Sequence, residues 1–318
     1  MKKKWLLLLV CLLGISIISY FGLSKFHREE LPTKSQQDKA KNAPYFEVVS
    51  VTKFTAADLP CIPIQIGGKR VSLELDLGFR GDLEFCSEFL VQIPEIKYLS
   101  SKTMYGFRGH EAETKLYAIP EIKMGRMTFY RLIAQEDAGE LSQHSSIVKE
   151  GHERSFDPEI KGKAGWELFC RSNLFLDLKN SKIAGCDSFA TLEKQGYPAG
   201  TFVKTPLLSE RGLVEFNAIT PNGPLLCVLD TGSTWNILNT ELEQGKTIEQ
   251  VVWEPDNALK FVDFKIGDVD FGKMEFHRFP INLPIHLEAI LGMEFFKEHL
   301  VFLDFDEGQI YIAPAPSP

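Results

Sequence analysis

The chain has 318 residues, of which 44% are hydrophobic and 25% charged, the profile of a packed globular protein rather than a disordered one. A net charge of −8 argues against a nucleic-acid-binding surface. Six cysteines include no CxxC and no Cys/His set at zinc spacing, so no structural zinc site is expected.

The amino terminus opens with Lys2, Lys3 and Lys4. An uncharged run of nineteen residues follows, from Trp5 to Leu23, and then Lys25, His27 and Arg28. A secretory signal has an apolar core of roughly 7–15 residues and a small-residue cleavage site, whereas a membrane span takes about 20. The run therefore fits a transmembrane signal anchor over residues 1–23 best. A cleaved signal and a lipoprotein box at Leu8-Leu9-Val10-Cys11 are the alternatives. The basic cluster stays in the cytoplasm, so the rest of the chain is expected on the far side of the membrane. Residues 24–44 are polar and rich in Lys, Gln and Glu, a tether. Five cysteines lie beyond the span, at Cys61, Cys86, Cys170, Cys186 and Cys227, and an odd number leaves at least one without an intramolecular partner. No Asn-x-Ser/Thr sequon occurs, which favours a bacterial periplasm or envelope over a glycosylating pathway.

Beyond the tether, short alternating runs bounded by Gly or Asn read as strands. Pro63-Ile64-Gln65-Ile66, Lys260-Phe261-Val262-Asp263-Phe264 and Gln309-Ile310-Tyr311-Ile312 are examples, and together they predict an all-β fold. The abundance of Phe (24, against eight Tyr and four Trp) suits a β-rich core. Compared with itself, the chain repeats. Val71-Ser72-Leu73-Glu74-Leu75-Asp76-Leu77-Gly78 answers Leu225-Leu226-Cys227-Val228-Leu229-Asp230-Thr231-Gly232, at an offset of 154. The stretch Gly165 to Ile183 aligns without gaps onto Gly292 to Ile310, at an offset of 127, with seven of nineteen positions identical. The first copy thus carries 27 extra residues, and the polar stretch near 137–163 is the natural insertion. Two units are expected, over 45–190 and 191–318, each with a short helix after its Gly165 or Gly292.

Each copy places an Asp at the end of an apolar strand, followed by x-Gly. Two carboxylates about 3 Å apart cannot both ionise, so a pair meeting at a repeat interface shares one proton. One carboxylate can then take a proton from a water attacking a carbonyl carbon, while the other protonates the carbonyl oxygen. The glycines allow a sharp turn and close approach of the two loops.

Asp230-Thr231-Gly232-Ser233-Thr234 resembles the active-site loop of the retropepsin-like aspartic peptidases. Ala289-Ile290-Leu291-Gly292 is similar to that family's bracing turn, and Val301-Phe302-Leu303-Asp304-Phe305 to its closing strand. Asp76-Leu77-Gly78-Phe79-Arg80-Gly81 resembles a variant loop found among bacterial members. The resemblance covers about 45–318 and implies a two-lobed, pepsin-like acid-protease fold, acting as a monomer. It implies Asp76 and Asp230 as the catalytic pair, Gly78, Thr231, Gly232 and Ser233 as the active-site loops, and no metal or cofactor. Tyr105-Gly106 resembles the tip of the family's substrate-binding flap. The expected activity is that of a membrane-tethered endopeptidase acting on a polypeptide. The first copy departs from the family at Leu77, where a Thr hydroxyl ties the loops together, and at Phe79, where a hydroxyl or small residue follows the glycine. A catalytically degenerate relative, kept as a peptide-binding or envelope scaffold, is the alternative that Leu77 motivates.

Overall fold

The computed structural model describes residues 46–55, 58–105, 111–137, 159–209, 212–240, 259–279, 281 and 286–316. The expected anchor and tether, Gly106 and most of the expected insertion lie outside the described residues. Among the described residues, no helix is long and apolar enough to cross a membrane.

Strands β1 (Phe46–Ser50), β2 (Lys53–Phe54), β3 (Pro60–Ile66), β4 (Lys69–Asp76) and β5 (Leu83–Phe85) come first, followed by helix α1 (Ser87–Leu90). Next run β6 (Lys97–Tyr105), β7 (Glu111–Met124), β8 (Met127–Glu136), β9 (Ile160–Gly165) and helix α2 (Trp166–Phe169). Then come β10 (Leu174–Asp177), β11 (Lys182–Cys186) and helix α3 (Phe189–Lys194). The second half holds β12 (Val203–Pro206), β13 (Glu215–Thr220), β14 (Gly223–Leu229), β15 (Ile237–Asn239), β16 (Leu259–Ile266) and β17 (Val269–Phe279). It closes with β18 (Ala289–Leu291), helix α4 (Met293–Phe296), β19 (His299–Asp304) and β20 (Gln309–Pro314). The longest of these α-helices has six residues, so the fold is all-β as the alternating runs predict. The strand β9 begins at Ile160, so the last residues of the stretch read as an insertion are strand.

The repeat is visible in the pairing. β13-β14-β18-β15-β17-β16 form a closed barrel, and β3-β4-β9-β5-β8-β7 occur in the corresponding order within an eight-stranded sheet. The closing contact is also the same. Gln65 on β3 faces Lys123 on β7, and Ile219, which lies 154 residues after Gln65, faces Lys265 on β16. A third, six-stranded sheet takes three strands from each repeat, in the order β1-β11-β10-β19-β20-β12. At its centre β10 and β19 are antiparallel with Phe175 opposite Phe302. These two residues are equivalent at the offset of 127, so a local twofold axis passes between them.

Phenylalanine fills the interior. Among the described residues, nine of the twelve largest fully buried side chains are Phe, in keeping with its excess over Tyr and Trp: a buried phenyl ring needs no hydrogen-bond partner, whereas a hydroxyl or indole N–H does. None of the five cysteines beyond the expected span is joined in a disulfide; Cys61, Cys186 and Cys227 are buried and pack as small hydrophobes.

Candidate active site

Strand β4 starts exposed at Lys69 and ends fully enclosed at Asp76, while β14 becomes buried over Cys227–Leu229 and delivers Asp230. The last residues of each strand are buried on both faces, and there each strand pairs in parallel with a later strand of its own repeat. Leu75 faces Ala164 on β9, and Leu229 faces Leu291 on β18. Parallel strands enclosed in this way read as apolar runs, which is why the sequence around both aspartates is so hydrophobic.

The chain then turns sharply at each aspartate, with Phe79 N–H donating to Asp76 O and Ser233 N–H to Asp230 O. The two loops meet. A Cβ added at Gly78 would collide with the Asp230 carboxylate, and one added at Gly232 would collide with that of Asp76. Glycine is therefore required at both positions by the approach of the opposite carboxylate. Gly232 N–H donates to Asp230 Oδ1 at 2.8 Å. Gly78 N–H is shared between Asp76 Oδ1 at 3.1 Å and Asp230 Oδ1 at 3.2 Å, so one amide bridges the pair. Burial, followed by the neighbouring Asp76 charge and a hydrogen bond between the two carboxyls, pushes Asp230 up to about 7; the Gly232 amide and Lys163 oppose this.

Thr231 supplies the tie between the loops. Its Oγ1 donates to Leu75 O at 2.7 Å and accepts from Leu77 N–H at 3.1 Å. Leu77 returns no such bond; its side chain is fully buried in the main hydrophobic core. Ser233 Oγ donates to Trp235 O at 2.8 Å, so its hydroxyl shapes the loop and is turned to the backbone. The turns at Gly165 and Gly292 brace the two loops from below. Trp166 N–H donates to Phe79 O, Met293 N–H donates to Ser233 O, and Gly292 N–H reaches Asn236 Oδ1. Tyr105 ends β6 opposite Glu111 on β7; its expected flap partner Gly106 lies outside the described residues.

Four charged residues, Lys163, Glu84, Asp82 and Arg171, are given no role by the sequence alone. Lys163 Nζ lies 3.2 Å from Asp76 Oδ2, with both side chains largely buried. Glu84 stands directly opposite Lys163 on β5, and the surrounding protein pushes its carboxyl up to about 7 against the pull of Lys163. Asp82 accepts a two-oxygen bond from Arg171 Nη2 at 2.7 and 2.8 Å and a backbone bond from Ile133 N–H. Burial raises its pKa to about 6 although Arg171 pulls the other way. Among the described residues, no group of three or more His, Cys, Asp or Glu is placed to hold a metal ion. In comparisons with known proteins, no family model matches the chain, and no curated protein matches it.

Proposed function

We propose that the chain is an aspartic endopeptidase of the two-lobed, retropepsin-like kind, with Asp76 and Asp230 as its catalytic pair. The observation that carries this reading is the reciprocal approach of two buried carboxylates, each against the glycine that follows the other in the repeat. Such a pair holds one proton between pH values where an isolated carboxylate would be ionised, and the position of Asp230 near 7 supports that. A water bound between them loses a proton to the ionised carboxylate as its oxygen attacks a peptide carbonyl carbon. The protonated carboxyl gives its proton to the carbonyl oxygen, forming a neutral diol. Collapse of the diol returns a proton to the leaving nitrogen and breaks the C–N bond. An extended polypeptide lying between the lobes is the substrate, Tyr105 and Gly106 belong to the flap over it, and residues 1–23 anchor the enzyme with its lobes outside the cytoplasm.

The test is proteolysis of an unfolded protein by the full-length chain between pH 4 and 8. We expect bell-shaped activity with a weakly acidic optimum, abolished by Asp76→Asn and by Asp230→Asn. Cleavage that survives in either variant rejects the pair. The second reading, a degenerate fold kept for peptide binding, is favoured by one feature, the ion pair that engages Asp76. Peptide binding by a wild-type chain without any cleavage would establish it.

A further inference from the structure

The registers of the two repeats show a substitution of charge for hydrocarbon beside one aspartate. On β18, Ile290 is flanked by Val228 on β14 and Ile237 on β15, three buried apolar side chains packed together. The corresponding positions beside β9 are Lys163, flanked by Glu74 on β4 and Glu84 on β5. Residues directly opposite in a sheet share a face, and Asp76 lies two residues beyond Glu74 on that same face. The fold demands no charges here, since the second repeat makes the same sheet with Val, Ile and Ile. Partly desolvated charges are costly to hold, so their presence calls for a reason other than packing.

We propose that Lys163, held between Glu74 and Glu84, is a positioning residue that keeps Asp76 the ionised member of the pair and so leaves the shared proton on Asp230. Its catalytic meaning rests on the peptidase reading; its electrostatic content does not. The lysine contacts Asp76 through Oδ2 at 3.2 Å, while among the described residues no ion pair of that kind engages Asp230. Asp230 is instead the member whose burial favours the neutral form. Among the described residues, further charges that act on Glu84 include Asp137, which follows β8, and Lys102 on β6, which in turn faces Glu167 and Arg80. Under this assignment Asp76 accepts the proton from the attacking water and Asp230 donates to the carbonyl oxygen. Lys163 acts on the pair by its charge, most strongly on Asp76, which it contacts, and more weakly on Asp230.

The experiment is a pH titration of full-length protein labelled with 13C at the Asp side-chain carboxyl. The two site resonances are assigned from Asp76→Asn and Asp230→Asn. In Lys163→Met both apparent steps of the pair should move up by about one pH unit or more, as expected for loss of an adjacent opposite charge. Lys163→Arg should keep them near wild type. Glu84 is ionised only above about pH 7, so Glu84→Gln should move the upper step down and leave the lower one near wild type, and it decides the matter if the methionine variant does not fold. The optimum for proteolysis should follow the same directions, with kcat changing more than KM. Steps that stay put in both Lys163→Met and Glu84→Gln overturn the proposal. A titration that shifts as described in a protein showing no proteolysis would sink the peptidase reading and leave this assignment standing. Proteolysis with an unmoved titration would do the reverse.

Discussion

Replacing Asp230 by Asn should stabilise the fold, and the gain should depend on pH in a way set by one group. In the folded chain Asp230 is buried and its pKa rises from 3.8 to about 7. A folded-state pKa raised above the unfolded value means that the folded protein holds the proton more tightly. Stability is then full below the unfolded pKa and is lost as pH rises through the folded one. The rise of about 3 units, at 1.36 kcal/mol each, corresponds to roughly 4 kcal/mol lost between about pH 4 and pH 8. Asparagine cannot ionise, yet its Oδ1 can still accept from Gly232 N–H and its amide can donate toward Asp76. At pH 8 the variant should therefore exceed wild type by up to about 4 kcal/mol, or about 8 °C in Tm at roughly 2 °C per kcal/mol for a chain of this size. At pH 4 the two should agree within about 1 kcal/mol. Calorimetric or fluorimetric melting of both proteins at the two pH values decides it. A variant that melts with wild type at pH 8, or that exceeds it equally at both pH values, would refute the claim that Asp230 is forced to ionise in a dry site beside Asp76.

Gly232→Ala should cost more than the roughly 1 kcal/mol ordinary for a glycine change, because its Cβ meets the Asp76 carboxylate; a loss of several kcal/mol in urea unfolding, together with loss of proteolysis, is expected. Leu77→Thr should keep activity. It removes a fully buried hydrocarbon and adds a hydroxyl worth about 1 kcal/mol if it finds the opposite loop, so stability should fall by no more than about 2 kcal/mol; a folded but inactive Leu77→Thr would contradict the twofold relation of the loops. Arg171→Met leaves Asp82 buried without its cation and should cost about 3–5 kcal/mol at pH 8. The cost should shrink at pH 5, where Asp82, already raised to about 6 and raised further without Arg171, takes up a proton; equal losses at both pH values would show that Arg171 acts by packing alone.

The sheet content and the meeting of Asp76 with Asp230 were legible because they are written twice. An apolar strand enclosed on both faces leaves a hydrophobic run that a single sequence displays, and two such runs ending in Asp-x-Gly mark the same turn. Lys163 was hidden for the opposite reason. Its strand is short and carries Lys161, Gly162 and Lys163, so it merged with the polar stretch before it. The signal was nevertheless present: the gapless alignment that sets Gly165 against Gly292 also sets Lys163 against Ile290, and a lysine answering a core isoleucine is a mismatch that needs a partner. Asp82 and Arg171 are 89 residues apart and in different elements. No periodicity encodes that pairing, which arises only when β8, the turn after Phe79 and the end of α2 converge. Ser233 is expected from the motif only as a loop residue; that its hydroxyl donates to Trp235 O depends on a rotamer that spacing does not record.

The central pairing of β10 with β19 carries a consequence for what each half of the chain would do alone. Because Phe175 faces its own counterpart Phe302, the edge that either half presents is complementary to itself. Cutting the chain between α3 and β12 would bare Leu174–Leu176 on one fragment and Val301–Leu303 on the other, short apolar edges with unsatisfied backbone groups. Each edge would match a second copy of the same fragment in the register it now uses for its partner, with Phe175 against Phe175 or Phe302 against Phe302. The fragments would thus be isologous dimers in waiting. A dimer of the first fragment would bring two lysine-paired aspartates together, whereas a dimer of the second would bring two that have Ile290 in the place of that lysine.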